Sequence, residues 1–406
     1  RLQSRGCRAE SLPGLAQLAL MPITCPEEIG AFQAHHDRRI RSMAHFRALL
    51  EAQRPDLVHV THFGHLSTSV AQVADALGIP WVATLTDFWA ICPNGHLLRS
   101  DGALCTGPDR LGACLLCLTA MGPRGAGYAA LSRAVPDWGW SLAARAAAWP
   151  LLRALPPARW LAALQARSAV IRRRLRSAGA ILTPGAHARA MLLANGYPAD
   201  LIRHAPHGID APEALRGHGR PAEESVLRLG YLGPLTHAKG AHLPLEAVTH
   251  LGPDAPVTLT YRGGLPSAAA LNAYARSILE GLDASDRARH EGPYHQDELP
   301  TILRALDVVI VPSLAYENTP TVIYEAIAAG VPVIASDLGG MRELVETLRG
   351  GWLFPRGDAA ALAQLIGALA ADRQRIRRVA AGLAPVPTFA AHLEYVRGLY
   401  AAIRGA

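Results

Sequence analysis

The sequence predicts an α/β protein of two doubly wound domains facing across a cleft. Three observations carry that prediction. Short apolar runs rich in β-branched residues recur without polar alternation, the pattern of parallel strands buried on both faces. Helix-length segments that close at glycine separate several of them. A stretch rich in Pro and Gly, residues 205–224, divides the chain of 406 residues, which is long enough for two such domains.

Each element follows in order. Residues 56–60 and 81–85 read as parallel strands joined by a helix over 67–77 that Gly78 closes. A later strand of the same sheet covers 180–183, followed by a helix over 186–195. The interdomain linker is placed in 205–224, and a second sheet starts at 226–232 and continues with 257–261, 307–311 and 331–335. Thr319 suits an N-cap and Pro320 the first helical position, so a helix is expected from there to Gly330. Gly339 and Gly340 open another over 341–346, and an amphipathic helix over 389–403 ends the chain. The expected domains are 1–205 and 206–385, with a terminal helix, 386–406, crossing back to the first.

Half the residues are hydrophobic and 18% are charged, which allows sizeable cores and argues against a chain dominated by disorder. The net charge is +7, with much of the surplus between Arg133 and Arg176. No apolar run is long enough to span a bilayer, and no secretory signal peptide is visible. The chain begins at Arg1, and nothing before Asp56 carries an opening strand, glycine-rich loop and helix, so the first domain is expected to be incomplete at its start. Six cysteines, four of them clustered, point to a reducing, cytoplasmic setting and a local site rather than a disulfide framework.

The chemistry concentrates around Glu317 and Glu325, eight positions apart. Glu317 falls on the loop at the C-terminal end of a strand, and Glu325 in the second turn of the following helix. Between them the free backbone N–H groups of the stretch from Asn318 through Thr319, Pro320 and Thr321 to Val322 face outward at a positive helix end. Carboxylates that accept hydroxyl hydrogen bonds, flanking an anion cradle, suit a sugar joined to a nucleotide diphosphate. Taken alone, two acids at a helix start are more often solvated surface groups. Residues 233–240 likewise follow a strand and open a helix. There Gly233 lets backbone approach a ligand and Lys239 supplies a cation, though a lysine so placed is usually solvated.

The run Glu317-Asn-Thr-Pro-Thr-Val-Ile-Tyr-Glu325, continuing through Val331-Pro-Val-Ile to Gly339-Gly340, resembles the donor-site signature of retaining glycosyltransferases of family 4. The resemblance covers roughly the second half of the chain. It implies the GT-B fold of two Rossmann-like domains, and transfer of a sugar from a nucleotide-diphosphate donor with retention, in polysaccharide or cell-envelope biosynthesis. It implies that Glu317 contacts the sugar or reacting region, that Lys239 holds the diphosphate, that Glu325 holds the ribose, and that Tyr294 lies on a base-contacting loop. Asp87 is implied to orient an acceptor hydroxyl, and no catalytic metal is implied. The chain departs from the pattern at Pro234, where the family has Arg, and at Thr61 and Thr86, where it often has His; His62 and His65 stand nearby. These departures motivate the alternative of a catalytically impaired sugar-nucleotide-binding protein.

Cys92, Cys105, Cys114 and Cys117 lie in a Gly/Pro-rich insert over about 90–120 that ends in Cys-x-x-Cys, a spacing suited to tetrahedral thiolate ligation. A structural zinc site, or an iron–sulfur cluster on the same ligands, is expected there against the alternative of small buried thiols. A subset of the family carries a similar insert. Between about 130 and 176, Trp138, Trp140, Trp149 and Trp160 alternate with Arg133, Arg145, Arg153, Arg159 and Arg172–Arg174. This suits peripheral contact with an anionic membrane, on the inner face, and a lipid-linked rather than purely glycan acceptor; helical core packing with a basic face explains the same residues. A lone Cys-x-x-Cys without a basic–aromatic stripe around it argues against nucleic-acid binding.

Overall fold

The computed structural model describes residues 10–11, 19–20, 44, 46–63, 68–108, 110–120, 134–147, 149, 151–152, 156–210, 226–252, 254–264 and 273–405. The linker segment 211–225, His65, Arg133 and Arg153 lie outside them, as do the side chains of Arg159 and Trp160.

Two parallel sheets carry the chain, one of four strands and one of six. A separate two-residue ladder pairs β1 (Glu10–Ser11) with β2 (Ala19–Leu20). The strands of the four-stranded sheet are β3 (Val58–Val60), β4 (Trp81–Thr84), β5 (Ala180–Thr183) and β6 (Ile202–His204), with β3 parallel to β4 and β5 parallel to β6. All of β4 and β5 is buried, as unalternated apolar runs require. Helix α1 (Ser69–Ala76) links β3 to β4, and Gly78 follows it at φ +66. Helices α2 (Leu111–Ala120), α3 (Asp137–Ala147) and α4 (Pro156–Leu175) separate β4 from β5, and α5 (Ala186–Ala194) follows β5.

The six-stranded sheet comprises β7 (Leu227–Leu232), β8 (Val257–Arg262), β9 (Ala288–His290), β10 (Val308–Val311), β11 (Val333–Ser336) and β12 (Gly351–Phe354). Its order is β12-β11-β10-β7-β8-β9, and every pairing is parallel. The chain therefore winds outward one way from β7 through β9 and the other way from β10 through β12. The β7–β10 junction is the switch point, and the loops leaving those two strands must diverge and open a crevice. Helices α6 (Leu243–His250), α7 (Ala273–Asp283), α8 (Leu299–Arg304), α9 (Thr321–Ala328), α10 (Gly339–Thr347), α11 (Ala359–Ala371) and α12 (Arg373–Ala381) accompany this sheet. One core cluster packs β7, β8 and β10 against α6 and α11, and another packs β10 and β11 against α8, α9 and α10.

Two helix starts differ from expectation. Helix α9 begins at Thr321, not Pro320, because Pro320 keeps an extended ψ of 113 and is itself the N-cap. Thr319 caps nothing: its hydroxyl is buried without a hydrogen-bond partner. Helix α10 begins at Gly339, so both glycines lie inside its first turn. A Cβ on Gly340 would stand 1.9 Å from Asn318 O, which explains a glycine inside a helix despite its entropic cost.

By contact the chain divides into a unit of residues 1–83 and 138–179 and a unit of residues 84–137 and 180–406. In the smaller unit, Asp75 at the end of α1 accepts from Trp81 Nε1 at 2.8 Å and from Ser177 Oγ at 2.7 Å. In the larger unit, α13 (Phe389–Arg404) is tied at its start to residues 206–209. Thr388 pairs with Ile209, and the His392 ring meets Pro206 O at 2.9 Å. Among the described residues no helix is long and apolar enough to cross a membrane.

Asp307, at the entry to β10, accepts from the backbone N and the guanidinium of Arg228 on β7 and pairs with Arg373 at 2.8 Å. Burial pushes its carboxyl up, but the hydrogen bonds from Arg228 and Arg373 outweigh that and hold it below the usual 3.8. A depressed carboxylate contributes stability that is complete above its ordinary pKa and lost as pH falls through the folded value. Asp307→Ala is therefore expected to cost about 3–5 kcal/mol in denaturant unfolding at neutral pH, with the gap to wild type narrowing below pH about 4.

Candidate functional site

The site forms where the two loops leaving the switch point meet. After β7, residues 233–236 are pinned by Tyr231, whose hydroxyl donates to Pro234 O at 2.7 Å, and a short turn, His237–Lys239, follows. After β10, the N–H groups of Leu314 and Ala315 both donate to Ala238 O, at 2.8 and 3.1 Å. Gly240 makes this approach feasible. Its φ is +63, and a Cβ there would lie 2.0 Å from Pro312 O.

This contact brings Lys239 to Glu317. Lys239 Nζ donates to Glu317 Oε1 at 2.8 Å, and Ser313 Oγ donates to the same oxygen at 2.9 Å. The ammonium remains accessible, with 38% of its side chain exposed, while the carboxylate is 16% exposed. One turn into α9, Glu325 is enclosed by neighbours from the β9–α8 connection. Gln296 Nε2 donates to its Oε1 at 3.2 Å, and Tyr294 is close enough for Glu325 to raise its phenol pKa beyond what burial does. Burial pushes the Glu325 carboxyl above 4.5, with the Gln296 bond opposing. Since Pro320 supplies no capping side chain, the N–H groups of Thr321 and Val322 open α9 with no intrahelical acceptor. A cation from one loop thus meets a carboxylate on the other, and helix-end amides and a second carboxylate follow along that second segment.

The structure brings Gly233, Lys239, Glu317, Pro320, Thr321 and Glu325 to this junction, with Tyr294 beside Glu325. The Asn318 side chain is buried and donates through Nδ2 to Leu85 O, just past β4, at 2.9 Å. Asp87 Oδ1 accepts from Trp89 N at 2.9 Å and so shapes the turn after β4.

Sequence reasoning missed three residues that frame the junction. Glu343 on α10 accepts from the N–H groups of Ala186 and His187 at 2.7 and 2.8 Å, capping α5, whose own N-cap is Gly185. A glycine cap without an oxygen was the available signal, but nothing local names the acceptor. His187 stacks on Tyr316 at 5.0 Å, with Phe88 edge-on to both. Burial lowers the His187 pKa, with Glu343 opposing. Arg356 donates through Nε to Leu314 O at 2.6 Å and through Nη2 to Gly102 O, joining the post-β10 loop to the cysteine-rich insert.

The four clustered cysteines line one small pocket together, yet among the described residues no group of three or more His, Cys, Asp or Glu is placed to hold a metal ion. This arrangement gives the expected zinc or iron–sulfur site no support. Cys105 Sγ lies 3.0 Å from Gly107 O, and burial pushes the Cys117 thiol up. All four are free. Leu98 and Leu104 supply apolar mass to the insert. They face each other in an antiparallel bridge and pack on the two cores of the six-stranded sheet.

A neutral Glu325 folds with less penalty than a charged one. Because its folded pKa is raised, the stability it permits is full below about 4.5 and lost as pH rises through the folded value. Glu325→Gln should match wild type in melting temperature near pH 4 and exceed it at pH 7–8; thermal scans across pH check this.

Residues 227–372 match the family described as Glycosyl transferases group 1. The amylovoran biosynthesis glycosyltransferase AmsK of Erwinia amylovora is 32% identical over 183 residues, 43% of each chain. The 2-deoxystreptamine N-acetyl-D-glucosaminyltransferase of Streptomyces fradiae is 31% identical over 43% of this chain and 41% of its own. The chain thus spans less than half the length of these curated relatives. Among solved structures, Anabaena HepE in complex with UDP and glucose is 18% identical with a TM-score of 0.54, over 89% of this chain and 79% of that one. Sucrose-phosphate synthase from Thermosynechococcus elongatus is 20% identical with a TM-score of 0.55, over 89% and 74%. These likenesses show the fold: two parallel-sheet α/β domains of the GT-B class.

Proposed function

We propose that this chain transfers a sugar, with retention of anomeric configuration, from a nucleotide-diphosphate donor to a glycan or lipid-linked acceptor, as a family 4 enzyme does. The observation that carries the reading is the 2.8 Å contact of Lys239 with Glu317, on the loop that leads into the open amides of α9 and the half-buried Glu325. An incoming diphosphate competes for the Lys239 ammonium and accepts from the Thr321 and Val322 amides. Glu317 is then freed to accept from sugar hydroxyls, and Glu325 accepts from the ribose. Tyr294, next to Glu325, lies where a base would continue from that ribose.

In the reaction, the acceptor hydroxyl oxygen bonds to the anomeric carbon from the face the diphosphate leaves. The bond from that carbon to the phosphate oxygen breaks, and the nucleoside diphosphate departs with its electron pair. The acceptor proton passes to the departing phosphate oxygen. Charge grows on the leaving group, so Lys239 and the helix-end amides contribute most to the rate. Pro234 offers no cation, which leaves that role to Lys239. Relatives named for amylovoran and colanic acid biosynthesis support an acceptor belonging to a surface polysaccharide. Cysteines outside any disulfide suit the reducing interior of a cell, where such a donor is consumed.

Melting temperature measured with UDP-, GDP- and ADP-linked sugars finds the donor, because a ligand that binds only the folded chain raises it. Lys239→Ala is expected to lower turnover about 10²–10³-fold, and Glu325→Ala to weaken donor binding about tenfold or more. Glu317→Ala is expected to abolish transfer. Turnover unchanged in all three variants refutes the site, and donor binding without transfer in the intact protein favours an impaired enzyme.

A further inference from the structure

Among the described residues seven large apolar side chains are exposed, and five of them fall between 138 and 152. Trp138 is 72% exposed, Trp149 69% and Leu151 88%, with Leu142 and Leu152 also open. Trp138, Leu142 and Arg145 stand at i, i+4 and i+7 of α3, one face of the helix, while Ala144 and Ala147 on the other face are buried. Core packing therefore does not account for these tryptophans. It accounts in part for Trp140, which is half-buried. A concentration of exposed apolar side chains on a water-soluble surface marks a binding face.

The charge along this stretch of the sequence is one-sided. Residues 133–176 hold nine arginines and a single acid, Asp137, a surplus of eight positive charges against +7 for the whole chain. Arg145 shares the face with Trp138 and Leu142, and Arg173 and Arg176 at the end of α4 are exposed. We propose that the exposed face of α3, extended through Trp149 to Leu152, docks on an anionic lipid surface. The tryptophans and leucines enter the headgroup boundary while the arginines meet lipid phosphates. A second copy of the chain fits poorly, because like faces would oppose arginine with arginine. A nucleic acid leaves three leucines in water with nothing to stack on. No described helix spans a bilayer, so the contact lies on the membrane and does not cross it.

The test uses the full chain and needs neither donor nor acceptor, so its outcome is separate from that of the proposed reaction. In flotation with phosphatidylcholine vesicles containing phosphatidylglycerol, the protein is expected to bind at least about tenfold more than with phosphatidylcholine alone. The preference should fall at 1 M salt, where the Debye length shrinks to about 3 Å. The combined Trp138→Ser, Leu142→Ser, Trp149→Ser and Leu151→Ser variant should lose binding about tenfold or more while keeping its circular dichroism spectrum. Should that variant fail to fold, quenching of wild-type tryptophan emission by brominated lipid acyl chains, with a shift to shorter wavelength, supports the proposal in its place. Wild-type protein that stays unbound to anionic vesicles overturns it, as does a folded variant that binds undiminished. Self-association in light scattering that the same substitutions abolish, without vesicle binding, assigns the face to a second copy and also overturns it.

Discussion

Ala238 O accepts from two N–H groups, those of Leu314 and Ala315, and through this contact the loop after β7 is held against the loop after β10. The two strands are neighbours at the point where the sheet reverses direction, so their loops would otherwise part. Gly240 permits the approach because any side chain would strike Pro312 O. Arg356 reinforces it from outside by donating to Leu314 O. Without this junction, Lys239 and Glu317 belong to separate loops 78 positions apart and share no oxygen.

Charge at the junction is balanced in a way that a ligand can exchange. Lys239 and Ser313 both donate to one oxygen of Glu317, so neither the carboxylate nor the ammonium is stranded in the ligand-free chain. Glu325 is the opposite case. Burial raises its carboxyl, and the Gln296 hydrogen bond opposes that. A group kept at a cost in stability within a candidate site is a mark of use rather than packing. Asp307 contrasts with both, since two arginines saturate it and its role is to join β7, β10 and α12.

Much of this architecture was legible in the chain itself. β10 and β11 are continuous apolar runs, and such runs admit few alternatives once glycine and proline bound them. Glu317, Glu325 and Lys239 could be placed because their positions relative to strand ends are local facts. The start of α9 was misjudged by one residue because Pro320 fits either side of a helix boundary. Partners distant in sequence stayed hidden: Glu343 caps a helix 156 positions away, and Asn318 reaches Leu85 across 233. The cysteines were correctly seen as neighbours, but spacing gives no side-chain direction, and Cys105 turns to a carbonyl. Spacing also left the tryptophans of α3 undecided between core and surface, which burial distinguishes.

A crystal structure of the chain with an unhydrolysed nucleotide-diphosphate sugar tests the central claim most directly. The account predicts diphosphate oxygens about 2.7–3.2 Å from Lys239 Nζ and from the Thr321 and Val322 amides, with Glu325 on the ribose hydroxyls. A donor bound elsewhere, with the Lys239–Glu317 pair still closed, would contradict it.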